Sequence, residues 1–189
     1  MGYRNQQSSY SVLILIAANA LMFIAKLARP DLDYILGLEA RGWLESPWTI
    51  VTSMFIHADI WHIATNMLTL YFFGTFLSAM VGEARFLLIY FLGGIAGGLV
   101  FILLAPPNSI AIGASGAVFA VGGAVAVIRP KLRVVVFPVP VPVDIWIALL
   151  GGLILISFVP GVAWQAHLGG VALGSVAGLL LRKQRRINL

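Results

Sequence analysis

Six apolar segments determine what this chain can fold into. They are predicted at residues about 11–28, 61–81, 86–104, 115–128, 145–159 and 164–181. Crossing a hydrocarbon core of about 30 Å takes roughly 20 residues of α-helix, a length that most of these segments approach. The sequence therefore predicts an all-α membrane protein, in which residues 1–189 form a single domain built as a bundle of six transmembrane helices.

The composition supports this class and excludes others. Hydrophobic residues make up 60% of the chain and charged residues only 10%, whereas a soluble domain carries about 25% charged residues. The chain has no cysteine, which excludes disulfides and thiolate metal sites. Basic segments beside an anionic lipid surface explain the net charge of +5, so we expect the lipid bilayer and no nucleic acid as a partner.

The first apolar segment could also be the core of a signal peptide, since Arg4 precedes it. It is long for such a core, and the sequence Ala28-Arg29-Pro30 is a poor cleavage site. We therefore expect this segment to be a retained membrane anchor.

The distribution of basic residues predicts the orientation of the bundle. With six spans, nine basic residues share one side of the membrane: Arg4, Arg85, Arg129, Lys131, Arg133, Arg182, Lys183, Arg185 and Arg186. The other side has three, Lys26, Arg29 and Arg41. By the positive-inside rule the first side is cytoplasmic, so both termini are expected in the cytoplasm and the protein in the cell (inner or plasma) membrane.

Two connections between the apolar segments are longer than the others. Residues 29–60 would form an outer segment. This segment contains Trp43, Trp48 and Phe55, and Trp61 follows just after it. Such aromatic residues are suited to the membrane interface. Residues 129–144 contain prolines that forbid a regular helix, namely Pro138, Pro140 and Pro142. We expect this second connection to lie at the cytoplasmic headgroups.

A few polar side chains inside the predicted helices lie at one depth. Counted from the cytoplasmic end, Ser115 is 14 residues deep, His167 is 15 and Asn66 is 16, or about 21, 22 and 24 Å. His62 lies one helical turn nearer the outside. Polar residues within a membrane are functional candidates by default. The shared layer, roughly 6–9 Å below the outer edge of the core, predicts a common site.

Stripes of small residues would let two of these helices approach closely. One stripe shares the helix face of His167 and consists of Gly170, Gly174 and Gly178. The other is assigned to the face of Ser115 and contains Gly122 and Ala126. Packing these stripes together predicts that Ser115 and His167 come within hydrogen-bond reach.

Three motifs make the chain resemble the rhomboid family of intramembrane serine proteases, in its minimal six-helix form. They are H-A-D-I-W-H-I-A-T-N-M at 57–67, G-A-S-G at 113–116 and A-H-L-G-G-V-A-L-G at 166–174. The motifs stand in the family's order on the second, fourth and sixth helices. The resemblance implies an endopeptidase that cleaves transmembrane segments of single-span or polytopic membrane proteins near the outer face, without metal or other cofactor.

The resemblance also implies a role for individual residues. Ser115 would be the nucleophile and His167 the general base of a dyad. The oxyanion hole would be formed by backbone N–H groups in the segment from Gly113 to Ser115, with Asn66 and His62 adding side-chain donors. Supporting positions are Gly116, Phe119, Gly170 and Gly174. Phe119 stands where many bacterial members have a tyrosine, and Arg41-Gly42-Trp43 is a possible substitute for a frequent Trp-Arg pair.

These residues also allow other interpretations. Gly-Ala-Ser-Gly can be a packing motif, Asn66 can bond a neighbouring helix, and the chain can be a non-catalytic rhomboid-like protein that binds membrane helices. His57 is interpreted as an interfacial residue and Asp59 as the N-cap of the second helix. A metalloprotease would need an H-E-x-x-H helix, which the sequence lacks.

Overall fold

The computed structural model describes residues 10–135 and 141–187. Arg4, Pro138 and Pro140 lie outside the described residues, as do the side chains of Arg185 and Arg186. The described part of the chain is mostly helical, with 72% of its residues in helices.

The described part of the chain contains a helix at each of the six predicted segments. Their bounds are Tyr10–Ala28 (α1), Ile60–Val81 (α4 and α5), Glu83–Leu104 (α6), Ser115–Ile128 (α7), Ile145–Ser157 (α8) and Trp164–Ile187 (α9). The second helix comprises α4 (Ile60–Thr69), a π-helical turn (Leu70–Gly74) and α5 (Thr75–Val81). Four of the six, α1, α4–α5, α6 and α9, are long and apolar enough to cross a membrane. The shorter α7 and α8 are apolar as well.

Short elements organise the connections. In the segment after α1 these are α2 (Leu32–Leu36), β1 (Leu38–Glu39), α3 (Thr49–Thr52) and a 3₁₀ turn (Ser53–Phe55). β1 pairs antiparallel with β2 (Ile110–Ala111), which places Leu38 opposite Ala111. This pairing ties the first connection to the chain that leads into α7.

The connection after α7 contains no helix in its described part, as its prolines predict. β3 (Arg133–Val134) pairs antiparallel with β4 (Val143–Asp144), and Pro142 stands immediately before β4. Pro142 has no N–H to donate, which is tolerated at the start of a strand but not inside a helix.

Helix α7 forms the centre of the bundle. It is apolar on all sides, and every residue from Gly116 to Ala126 except Phe119 is buried. A helix of this kind requires neighbours around its whole circumference. Helices α6 and α9 supply much of that cover. Because α7 is enclosed, the residue at its first position, Ser115, is held in a fixed place.

Candidate active site

The loop before α7 determines where Ser115 points. Gly113 has a φ of +118°, a conformation that residues with a side chain rarely adopt. Its N–H donates to the carbonyl oxygen of Ser53 at 2.8 Å. The chain then enters the helix at Ser115, so the first N–H groups of α7 have no partner within the helix. The serine hydroxyl therefore lies beside backbone donors.

His167 lies in the first turns of α9, close to Ser115. The distance between His167 Nε2 and Ser115 Oγ is 2.6 Å, which is hydrogen-bond reach between residues 52 positions apart. The histidine is 5% exposed. Among the described residues no group bonds its other ring nitrogen, Nδ1. The arrangement is a serine–histidine pair without an acid to orient the ring.

Phe119 covers one face of the His167 ring. The two ring centroids are 4.7 Å apart and the planes are inclined by 21°, which is a stacked pair. Phe119 is one helical turn after Ser115, so both side chains reach the histidine from the same side of α7. Stacking therefore restrains the ring where a hydrogen bond to Nδ1 does not.

Glycines set the distance between α7 and α9. A Cβ at Gly170 would overlap the carbonyl oxygen of Gly116, and one at Gly174 would overlap that of Ala120. Gly170 and Gly174 therefore allow the close approach of the two helices that the sequence predicts. The prediction that Gly122 lies on the same contact is wrong. Its Cβ would lie 3.0 Å from Leu149 Cδ1, so it faces α8.

The error at Gly122 has a simple geometric cause. The α7 positions nearest to the glycines of α9 are Gly116, Ala120 and Ala124. These positions recur every four residues and form a continuous ridge on the helix. Ser115 lies beside this ridge and not on it. The face through Ser115 and Gly122 is therefore not the face of α7 that contacts α9.

His62 borders the serine from the second helix. A Cβ at Gly113 would lie 2.6 Å from His62 Nε2 and 3.7 Å from Ser115 Oγ, so both atoms face the same small space. The other nitrogen, His62 Nδ1, accepts a hydrogen bond from the N–H of Ala58 at 3.3 Å. An imidazole that accepts at Nδ1 carries its proton on Nε2 when it is neutral. His62 can therefore donate toward Ser115.

Asn66 lies one turn further along α4 and is 7% exposed. Its side-chain amide donates to the carbonyl oxygen of His62 at 2.8 Å. Within the described residues no hydrogen bond joins Asn66 to Ser115 or His167. One N–H of the amide remains for another acceptor, because an amide nitrogen carries two.

His57 is a site residue that the sequence interpretation missed. The side chain is 0% exposed, not interfacial, and its Nε2 accepts a hydrogen bond from the N–H of Ala114 at 3.4 Å. Its ring also meets that of His62 edge to face, with centroids 5.0 Å apart. Burial lowers the pKa of His57 to about 3, so the ring is neutral at physiological pH. The sequence feature that could have identified His57 as a site residue is its position five residues before His62.

Asp59 fixes the start of α4, as predicted. Its carboxylate accepts hydrogen bonds from the N–H groups of Trp61 and His62 at 2.8 and 2.9 Å. These bonds, that of His62 above all, lower the pKa of Asp59. The cap holds the backbone of His62, and with it the histidine ring, relative to the loop that carries His57.

A small cavity of about 20 Å³ borders Ser115. It is lined mostly by apolar groups, and Ser53, Gly113 and Ala166 also contribute to its wall. This volume admits a single water molecule. In the described part of the chain, no group of three or more histidine, aspartate or glutamate side chains is arranged to hold a metal ion.

Comparisons with known proteins give one consistent result. Residues 44–184 match the family model described as the Rhomboid domain. Rhomboid protein 1, mitochondrial, of Saccharomyces cerevisiae is 33% identical over 164 residues, which cover 78% of this chain and 47% of the yeast protein. RHOMBOID-like protein 12, mitochondrial, of Arabidopsis thaliana is 34% identical over 159 residues, with 72% and 47% covered.

A bacterial relative carries a protease name. Rhomboid protease GluP of Bacillus subtilis is 42% identical over 77 residues, which cover 41% of this chain and 15% of that protein. The chain thus spans about half the length of the two mitochondrial relatives and a smaller part of GluP.

Proposed function

Since the chain belongs to the rhomboid family, we propose that it is an intramembrane serine endopeptidase that uses Ser115 and His167 as a catalytic dyad. The observation that carries this proposal is the 2.6 Å approach of His167 Nε2 to Ser115 Oγ. An imidazole within hydrogen-bond reach of a serine hydroxyl can take its proton and so activate the serine as a nucleophile. The name of Rhomboid protease GluP supports a proteolytic activity.

The chemical steps follow from the positions of these atoms. His167 Nε2 takes the hydroxyl proton while Ser115 Oγ attacks the carbonyl carbon of the scissile peptide bond. The histidine then returns that proton to the departing amine, which leaves an acyl group on the serine. Water, activated by the same histidine, releases the acyl group. The cavity beside Ser115 has room for one such molecule.

Donors around Ser115 would stabilise the negative oxygen of the tetrahedral intermediate. The first N–H groups of α7 have no partner within the helix, and His62 Nε2–H faces the same space. Asn66 is the further candidate, through the N–H that is not bonded to the carbonyl of His62. A single donor of this kind is worth about 3–4 kcal/mol of transition-state stabilisation.

The absence of an orienting acid among the described residues implies modest activation of the serine. Stacking of Phe119 on His167 and the close packing of α9 on α7 would hold the imidazole instead. We therefore expect reaction rates lower than those of a triad, in which a carboxylate also stabilises the imidazolium.

The proposed arrangement in the membrane has six spans, with α7 and α8 crossing together with the four longer helices. Ser115 would then lie roughly 6–9 Å below the outer edge of the hydrocarbon core. The surface of α8 is open at two positions, since a Cβ at Gly151 or Gly152 would meet nothing within 4 Å. A substrate helix would reach the serine from the outer side beside α8, and helix-breaking or small residues would ease its local unwinding.

Reporter tags test this arrangement. Both termini are expected on the cytoplasmic side of a plasma or inner membrane, so tags at the two ends should be accessible only from the cytoplasm. Opposite locations of the two tags would exclude six spans. Because two relatives are named as mitochondrial, the same tags should also be tested in a mitochondrial membrane.

Cleavage by the purified protein tests the proposed activity. A single-span model substrate should be cut near its outer boundary, and a fluorophosphonate should label the protein slowly. Ser115→Ala should abolish both reactions and His167→Ala should nearly do so, whereas a chelator should change neither. Binding of helical substrates without cleavage or labelling by the parent protein would instead identify a non-catalytic helix-binding member.

A further inference from the structure

The side chain of Lys26 connects the end of α1 to the loop that carries His57. Its ammonium group donates to the carbonyl oxygens of His57 and Ala58 at 2.9 and 2.6 Å. It also forms an ion pair with Asp33 Oδ2 at 3.1 Å. A lysine ammonium has three N–H donors, so all three have an acceptor here. The side chain is 12% exposed, which makes these contacts hard for solvent to replace.

Both backbone groups that Lys26 holds belong to residues in contact with the proposed site. His57 accepts the N–H of Ala114, the residue immediately before Ser115. Ala58 donates its N–H to His62 Nδ1, which leaves the proton of that ring on Nε2. Lys26 is therefore connected through one residue to the start of α7 and through another to the donor that faces Ser115.

We propose that Lys26 is a positioning residue for the active site, whose ammonium fixes the His57–Ala58 backbone and thereby the hydrogen bonds of His57 to Ala114 and of Ala58 to His62. This inference rests on the proposed protease function for its kinetic consequence. The contacts and the state of the His62 ring do not depend on that function. Its effect would fall on the transition state, where donor placement matters, rather than on substrate binding.

Substitution of Lys26 by methionine removes the charge and all three donors but keeps a long unbranched chain. Because displacement of catalytic groups by about 1 Å can cost on the order of a hundredfold, kcat of Lys26→Met should fall by about ten- to a hundredfold. KM should not change, and the rate of fluorophosphonate labelling should fall with kcat. Lys26→Arg should retain more of kcat than Lys26→Met, since guanidinium can donate to the same three acceptors.

Two further variants separate positioning from folding. Lys131→Met makes the same change at an exposed lysine on the connection after α7 and should leave kcat unchanged. Asp33→Asn removes the ion pair but keeps both carbonyl contacts, so it should lower kcat less than Lys26→Met. If Lys26→Met unfolds below the assay temperature, kcat of Asp33→Asn and Lys26→Arg is compared with that of the parent. A lower kcat in these variants supports the proposal, and an unchanged kcat in both overturns it.

Nitrogen-15 NMR of the histidine rings provides a measurement independent of activity. The parent should show His62 protonated on Nε2 alone, and Lys26→Met should show a mixture of the two neutral forms. An unchanged His62 ring together with an unchanged kcat would overturn the proposal. A parent protein that cleaves nothing would remove the protease function, and the His62 signals alone would then decide whether Lys26 positions this loop.

Discussion

Substitution of Gly170 by alanine tests whether the distance between α7 and α9 controls the dyad. A Cβ at this position would lie closer than 3.0 Å to the carbonyl oxygen of Gly116, a distance that real Cβ atoms essentially never show. The backbones must then separate by more than about 1 Å to restore ordinary contact. Gly170 is one helical turn from His167, so this separation acts directly on the histidine.

The consequence for the dyad follows from its geometry. The 2.6 Å distance between His167 Nε2 and Ser115 Oγ would grow to more than about 3.6 Å, beyond the 2.6–3.2 Å that a general base needs. We expect Gly170→Ala to lower fluorophosphonate labelling and kcat by about a hundredfold. Overpacking should also cost about 1–3 kcal/mol of unfolding free energy, partly offset by the higher helix propensity of alanine.

Gly151→Ala in α8 is the matched control for this experiment. A Cβ there would meet nothing within 4 Å, so the substitution adds helix propensity without a clash. Labelling and the thermal midpoint should be unchanged or slightly raised in this variant. If Gly170→Ala behaved like Gly151→Ala in both measurements, the close contact between α7 and α9 would not set the dyad distance, and the reasoning would be refuted.

Substitutions at three other residues address separate parts of the site. Asn66→Ala should lower kcat by about ten- to a thousandfold, in line with loss of one oxyanion donor, and an unchanged kcat would assign Asn66 to helix packing. Phe119→Leu should slow labelling by about two- to tenfold, since a stacked pair is worth about 0.5–1.5 kcal/mol, whereas Phe119→Tyr should not. His57 has its folded-state pKa lowered from 6.5 to about 3, so the unfolded chain binds its proton first as the pH falls. The unfolding free energy should therefore decrease as the pH falls from 6.5 to 3, by up to about 1.4 kcal/mol per pH unit. In the same series of denaturation measurements, His57→Gln should show a shallower decrease.

The apolar segments could be located from the sequence because a membrane imposes a minimum apolar length on each helix. The helix ends were less predictable. Helix α9 runs to Ile187, beyond the predicted end at residue 181, and α6 begins at Glu83 rather than residue 86. Lysine, arginine, glutamine and glutamate favour helix as strongly as many apolar residues do. Apolarity therefore marks the part of a helix suited to the membrane, not the whole helix.

The proximity of Ser115 and His167 could be inferred because depth and a glycine stripe are both properties of a helix taken alone. The face of α7 that meets the glycine stripe of α9 could not be inferred, because neighbouring faces of α7 differ little in composition. Gly122 and Ala124 are both small, and only the crossing of the helices decides which of them contacts α9. The contact of His57 with Ala114 depends on two separate segments and leaves no pattern in either of them.

The basic residues on the sparsely charged side of the predicted topology show what charge counting leaves out. The positive-inside rule treats Lys26 and Arg29 as two of the three exceptions to a bias. In the structure Lys26 pairs with Asp33 at 3.1 Å and Arg29 pairs with Asp31 at 2.5 Å. A paired cation interacts less with the potential that sets orientation, so these two residues oppose the bias only weakly. Replacement of both acids by asparagine should therefore weaken the orientation of α1, while Asp33→Asn should in addition affect the active site through Lys26.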